Sequence, residues 1–294
     1  MNDVKRACVY AHFDRDGIVD EYVRYYLACL QEVVEHIEFV TVSKLAGESL
    51  QSLVSMGINV TQRENVGYDF VSYKVGLSAL DLTSFDEVVI CNDSVYGPLF
   101  DLKNIFVGME EDQCDFWGIT QSDEIATHLQ SYFLVFRKPV LDDESFREFW
   151  QRVENVTDKK TIIEHYEVGL SQKLLNHGFI CASVVKAPDQ SLFHRIARSL
   201  PQFIQRFKMR WKELKFYRHL AKVVFLGEKL EVNPTHLEWK TMLIEQNAPF
   251  LKIELLRSNP QRVAEVEQVF DVIASKSHYR AELILEHLKR VRSA

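Results

Sequence analysis

Asn92, Asp93 and Ser94 end the run FDEVVICNDS, in which an apolar stretch from Phe85 to Cys91 leads straight into polar side chains. A carboxylate at the end of a buried strand, flanked by an amide and a hydroxyl, is the polar set that α/β sheets gather at their carboxyl edge to hold a ligand. Asp93 has the position of the metal-binding carboxylate of nucleotide-sugar enzymes, where Mg2+ or Mn2+ bridges the diphosphate and helps it leave. The usual second acid, spaced by one residue, is missing: Cys91 and Asn92 precede Asp93, and Ser94 follows it. Upstream, RENVGYDF sets Arg63, Asn65 and Gly67 in a turn ahead of a helix. A glycine there lets the backbone approach a phosphate, and the helix amino terminus and a guanidinium favour negative charge. Lys74, one turn into that helix, reads either as a diphosphate contact or as a solvated surface lysine.

Two acids compete for the part of general base. Glu167, in HYEVGLSQKLLNHGF, stands at a helix start facing back toward the sheet, where a glutamate also simply suits the helix dipole. Asp115 precedes Phe116 and Trp117, and those two aromatics offer a stacking face for a sugar ring. A third motif, FDRDG at 13–17, mimics the nucleophile loop of haloacid-dehalogenase-type phosphatases. Its required partners fit poorly, because the paired acids Asp142 and Asp143 fall past Pro139 rather than at a strand end. The plain alternative is that Asp14 and Gly17 shape a turn.

Periodicity supplies the elements that position these groups. ACVYAHF reads as a first strand, Val19 to Val34 as a helix, IEFVTVS as a second strand, Leu45 to Met56 as a second helix, and INV as a third strand. Asp69 reads as the cap of a helix from about Phe70 to Leu80, and Phe85 to Cys91 as a central strand buried on both faces. CDFWGIT and SYFLVF are two further strands, separated by a polar loop. Helices follow from Phe146 and over 165–179, the second stopped by Gly178 in a positive-φ conformation, before ICASVV returns to strand. The alternation predicts a mostly parallel, helix-flanked sheet. Beyond about residue 190 the composition turns basic and aromatic, and Val263 to Val291 reads as an amphipathic helix or helix pair. The division expected is therefore 1–190 for a nucleotide-sugar-binding catalytic domain and 191–294 for a mainly helical region on the acceptor side.

At 294 residues, with 47% hydrophobic and 26% charged residues, the chain has an ordinary globular composition. A net charge of −7 argues against a general nucleic-acid binder. The five cysteines include no CxxC pair, so neither a disulfide framework nor a structural zinc site is expected, and a reducing cytoplasm fits. Neither a signal-like stretch nor a window of about 20 apolar residues is present, so membrane work would be peripheral. The bases Arg206, Lys208, Arg210 and Lys212, interleaved with Phe203, Phe207 and Trp211, would suit an anionic membrane surface; a helix packing its aromatics on a core fits the same pattern.

Several motifs in fixed order, among them YAHFDRDGIVDEYVRYYL, RENVGYDFVSYKVGL, NDSVYGPL, DFWGIT, EVGLSQKLLNHGF, NPTHLEWKTMLI and PFLKIELLRSNP, resemble the rhamnan synthesis protein F family. The resemblance implies a Rossmann-like, A-type glycosyltransferase α/β fold with a helical C-terminal extension. It also implies an inverting transfer of L-rhamnose, or a similar deoxyhexose, from dTDP-L-rhamnose to a lipid-linked glycan at the cytoplasmic membrane face. Carried onto this chain, it places His12, Asp14, Arg63, Asn65, Gly67, Asp69, Lys74, Asn92, Asp93 and Ser94 around the donor, with Asp93 as the metal ligand. Glu167 stands where related enzymes carry a Glu-Asp pair, although Val168 replaces the aspartate here. Trp117, His236 and Trp239 are assigned to the acceptor or the donor phosphate.

Overall fold

Every second residue of β1 (Arg6–His12) packs on one side of the sheet: Cys8 and Tyr10 join one apolar cluster, and Val9 and Ala11 join the other. A strand apolar at consecutive positions satisfies both faces only when both are covered, which calls for helices on each side. The computed structural model describes residues 4–123, 125–185 and 234–292. In it α1 (Glu21–Gln31), β2 (His36–Thr41), α2 (Gly47–Ser55), β3 (Asn59–Gln62), α3 (Tyr68–Ala79) and β4 (Glu87–Asn92) follow β1 in alternation. The four strands run parallel in the order β3-β2-β1-β4, and all six residues of β4 are buried. β5 (Val95–Tyr96), α4 (Leu102–Glu110), β6 (Phe116–Ser122), β7 (His128–Leu129), β8 (Phe133–Arg137) and β9 (Cys181–Val185) complete the strands of this part. β8 lies antiparallel between β4 and β6, and β9 pairs parallel with β6. The α/β architecture with a mostly parallel central sheet is thus the one the alternation predicts.

Three local readings are corrected. Asp69 does not cap α3: Gly67 occupies that position, and the Asp69 carboxylate accepts a hydrogen bond from the Asn92 side chain instead. After α5 (Lys138–Asp142) and α6 (Glu144–Gln151), the helix read over 165–179 starts earlier and is compound: α7 (Lys159–Ile162) runs into a π-helical turn, Ile163–Val168, and on into α8 (Gly169–Asn176). The polar loop after β6 is not wholly irregular, because β7 forms within it and pairs back to β6. All five cysteines are free.

The region after the first sheet domain is not a detached appendage. Helices α9 (Pro234–Leu237), α10 (Trp239–Glu245), α11 (Ile253–Arg257), α12 (Val269–Lys276) and α13 (Glu282–Arg292) contribute to the same apolar cluster as α1 and β1. The two-residue strand β10 (Leu251–Lys252) pairs antiparallel with β5, setting Lys252 opposite Val95. The boundary expected near residue 190 and the basic stretch carrying Arg206, Lys208, Arg210 and Lys212 lie outside the described residues.

α3 crosses the sheet at close range through Gly76. A Cβ there would stand 2.2 Å from Val9 Cγ1, a buried side chain with nowhere to move. Gly76→Val is expected to push α3 off the sheet and destabilise the protein by about 2 kcal/mol. Urea denaturation should show this as a lower midpoint; an unchanged midpoint would refute the close-packing account.

Candidate functional site

The carboxyl ends of β1 and β4 meet through one carboxylate. Asp93 Oδ2 accepts a hydrogen bond from the Phe13 amide at 2.8 Å, and His12 Nε2 stands 4.0 Å from the same oxygen. The other ring nitrogen, His12 Nδ1, is 3.0 Å from Thr41 Oγ1 at the end of β2. Burial lowers the His12 pKa to about 4, so the ring is neutral at pH 7. Asp93 is only 15% exposed, and burial, reinforced by the nearby Asp69 carboxylate, pushes its pKa well above the usual range. The three strand ends are therefore tied into one floor.

The turn before α3 forms a wall of that floor. Gly67 adopts φ +72°, and a Cβ there would come within 2.3 Å of Val71 Cγ2, so the position requires glycine. Arg63 does not face the site as a free guanidinium. It donates to the carbonyls of Glu64, Val66 and Tyr68 and to Ser72 Oγ, which corrects its reading as a diphosphate ligand and makes it the brace of the turn. Asn65 lies exposed in the same turn. From the first turn of α3, Asp69 Oδ2 accepts from Asn92 Nδ2 at 2.7 Å, while Asn92 Oδ1 accepts from Ser94 Oγ at 2.6 Å and from the Ser94 amide at 3.1 Å. Asn92 is a splice between helix and strand, buried rather than presented to a ligand.

Glu167 sits in the π-helical turn, an irregularity that recurs at functional sites. Its Oε2 accepts from the Ser131 amide at 2.8 Å and from Ser131 Oγ, and its Oε1 lies 3.7 Å from His128 Nε2. Burial opposes the charged form, but these donors outweigh it and hold the carboxyl below its ordinary pKa. Glu167 is thus an ionised, oriented acceptor, still 18% exposed.

Lys252 completes the group. Its Nζ stands 3.5 Å from Ser94 Oγ and 4.1 Å from the centre of the Tyr132 ring, and burial lowers its pKa to about 8 against the pull of Glu167 and Asp69. Nothing in the local sequence singles out this lysine. Its place comes from the β5–β10 pairing between segments more than 150 residues apart, and the only available signal was PFLKIELL among the linked motifs.

A cavity of about 490 Å3 opens beside this floor, lined in part by Phe13, Asp14, Asp93, Ser94, Lys159, Glu254, Arg257 and Arg290. Asp14 shapes its rim: Oδ1 accepts from the amides of Asp16 and Ile18 at 2.9 Å each, and Oδ2 is held by Arg290 of α13, which also grips Asp16 and Asp20. This is the turn-shaping reading of FDRDG. The phosphatase alternative fails on topology, because β8 runs antiparallel and delivers Asp142 and Asp143 to the opposite end of the sheet.

Five further residues are placed otherwise than expected. Asp115 precedes β6 at the amino-terminal edge of the parallel strands, where it accepts from the Ile180 amide at 2.8 Å, so it cannot serve as the base of this site. Trp117 is fully buried between Phe106 and Phe133, and Trp239 is buried in the same cluster, so neither offers a face to an acceptor. Lys74 points away from the crest and donates to the carbonyls of Gln151 and Val153 at 2.9 and 2.8 Å. His236 is within electrostatic reach of Glu254, Lys252 and Lys159 but is buried, with neither ring nitrogen hydrogen-bonded among the described residues, and burial lowers its pKa to about 4. It is a buried neutral residue rather than an open phosphate contact.

Among the described residues, no three His, Cys, Asp or Glu side chains converge as a metal-binding group. Asp93, the expected ligand, already has one oxygen engaged by the Phe13 amide. The described residues therefore gather no preformed three-ligand metal group; a divalent ion bridging the donor diphosphate would be held by Asp93.

The family described as Rhamnan synthesis protein F matches residues 37–204, more than half of the chain. The chain belongs to that family. A virulence protein, VirA, of Vibrio anguillarum is 30% identical over 229 residues, covering 75% of this chain and 69% of that protein. An uncharacterised protein, y4gN, of Sinorhizobium fredii is 29% identical over 136 residues, covering 44% and 36% respectively. Solved structures that are alike include S. aureus TarS in complex with UDP-GlcNAc, at 14% identity and a TM-score of 0.36, covering 47% of each chain. Glucosyl-3-phosphoglycerate synthase from Mycobacterium tuberculosis is also alike, at 10% identity and a TM-score of 0.36, covering 62% of this chain and 83% of that one. Membership in the rhamnan synthesis protein F family supports a role in sugar transfer for polysaccharide synthesis. Among the described residues, no helix is long and apolar enough to cross a membrane.

If the Ser131 hydroxyl holds Glu167 ionised, Ser131→Ala should raise the Glu167 pKa, because a donor to the charged form has been removed. A carboxyl NMR titration reads this directly; an unmoved titration would show that the amide and His128 suffice alone.

Proposed function

We propose that this protein is an inverting glycosyltransferase that moves L-rhamnose, or a similar deoxyhexose, from a dTDP-sugar to a lipid-linked glycan at the cytoplasmic face of the membrane. The observation that carries the reading is Glu167: an ionised, doubly braced carboxylate at the same sheet crest as Asp69, Asp93 and the cavity. Family membership narrows the chemistry to sugar transfer. In this reading the donor lies across the crest, its diphosphate near the amino terminus of α3 and its hydroxyls against Asp93 and Ser94. The acceptor hydroxyl approaches the anomeric carbon from the face opposite the diphosphate. Glu167 takes its proton as the new carbon–oxygen bond forms and the bond to the diphosphate oxygen breaks, which inverts the anomeric centre. The segment 1–190 supplies most of the donor floor and the base, and 191–294 completes the acceptor side and returns Lys252 to the floor beside Ser94.

Burial of the floor has a purpose in this scheme, since charges interact more strongly once water is excluded. Glu167→Gln keeps the shape and the Ser131 contacts but cannot take a proton. It is expected to lower transfer from dTDP-L-rhamnose by about 100-fold or more, with donor affinity nearly unchanged, in an assay that follows dTDP release and the anomeric configuration of the product. Asp93→Ala should instead weaken donor binding. Transfer by Glu167→Gln at the wild-type rate, or a product with retained configuration, would contradict the mechanism.

A further inference from the structure

Of the described cations near the crest, Lys159 and Arg257 line the cavity wall, and three others are committed elsewhere. Arg63 is bonded to backbone carbonyls and Ser72, Lys74 to the carbonyls of Gln151 and Val153, and Arg290 to Asp14, Asp16 and Asp20. Lys252 is different. An ammonium carries three donors, and only one long hydrogen bond, to Ser94 Oγ at 3.5 Å, engages it. Its backbone is fixed on the crest by pairing with Val95 and by the Ile253 amide, which donates to Ser94 O at 3.0 Å. The ring of Tyr132 backs the ammonium at 4.1 Å, a contact that favours a cation without using its donors.

The surrounding charge calls for such a group. Asp69, Asp93 and Glu167 converge on the crest, with Glu167 held in its charged form, and a diphosphate entering beside it meets repulsion unless a cation stands with it. The described residues gather no three-ligand metal group, as shown above.

We propose that Lys252 is the resident cation of the donor site, receiving the charge of the departing nucleoside diphosphate where metal-dependent sugar transfer uses a divalent ion. This rests on the reading of the crest as a nucleotide-sugar site. The step needs no further reagent. As the bond from the anomeric carbon to the diphosphate oxygen breaks, its electron pair stays on that oxygen, which Lys252 stabilises by hydrogen bonding while keeping its own proton. The acceptor's proton goes to Glu167.

The test is calorimetric titration of the full chain with dTDP, UDP and GDP, in excess EDTA and again in Mg2+ or Mn2+. The expected result is that the wild type binds its preferred diphosphate in EDTA within about threefold of its affinity with metal. Lys252→Met should weaken that binding by about tenfold or more, the worth of a lost charged hydrogen bond. Lys252→Arg should restore most of it, and affinity for the corresponding monophosphate should change little. Wild-type binding that appears only with metal would overturn the inference while leaving the nucleotide-sugar reading intact, as would Lys252→Met binding as tightly as wild type. If Lys252→Met does not fold, the EDTA comparison on the wild type and the Lys252→Arg variant decide the matter. No binding of any diphosphate in either condition would remove the nucleotide site itself, and Lys252's role with it.

Discussion

Three carboxylates, Asp69, Asp93 and Glu167, are drawn out of water at the crest of one sheet, and the surrounding structure answers that constraint. Like charges brought together away from solvent raise one another's pKa, and the fold tolerates them only where each has a donor or a partner. Asp93 has the Phe13 amide, Asp69 has the Asn92 amide, and Glu167 has Ser131 and His128. The outcomes differ. Asp69 and Asp93 are pushed up and Glu167 is held down, so one crest contains carboxyl groups of opposite protonation tendency. Separation of this kind is what assigns different tasks to chemically similar acids.

The same constraint explains why the chain returns to the sheet after the long segment that follows β9. β10 brings Lys252 to the acids, and α13 brings Arg290 to the Asp14 turn. Neither cation belongs to the alternating strand-helix unit that builds the floor. A fold that stopped at β9 would leave the acids of the crest, and those of the first loop, without these two positive charges. The carboxyl-terminal helices also bury apolar side chains against α1 and β1, so their docking is secured by the core and not by the ion pairs alone.

Much of this was legible in the sequence where the signal is local. Runs such as ACVYAHF and FDEVVIC gave the parallel strands, and the turn before α3 announced itself by Gly67. Asp93 was singled out at a strand end, where the fold places it, whereas the helix start read at Glu167 is a π-helical turn inside a continuous helical run from Lys159 to Asn176. The misreadings share one physical cause, which is that direction is a tertiary property. Asp115 and Asp93 both flank strands, but one precedes its strand and the other follows, so they lie at opposite edges of the sheet. Arg63 and Lys74 have the right chemistry at the right spacing, yet backbone carbonyls that only the folded turn presents take their donors. Trp117 and Trp239 are large enough to stack on a sugar and were instead used to fill the core. Lys252 could not be singled out, because Ser94, Tyr132, Asp69 and Glu167, the groups it meets, are all more than eighty residues distant in sequence.

The account stands on the crest being the place where a nucleoside diphosphate binds, and a crystal structure of the protein with dTDP addresses that most directly. The account predicts the diphosphate at the carboxyl ends of β1 and β4, within hydrogen-bonding reach of Lys252 Nζ and with an open approach to Glu167 from the opposite side. Nucleotide bound at the amino-terminal edge near Asp115, or at the crest with its phosphates turned away from Lys252 and Glu167, would contradict it.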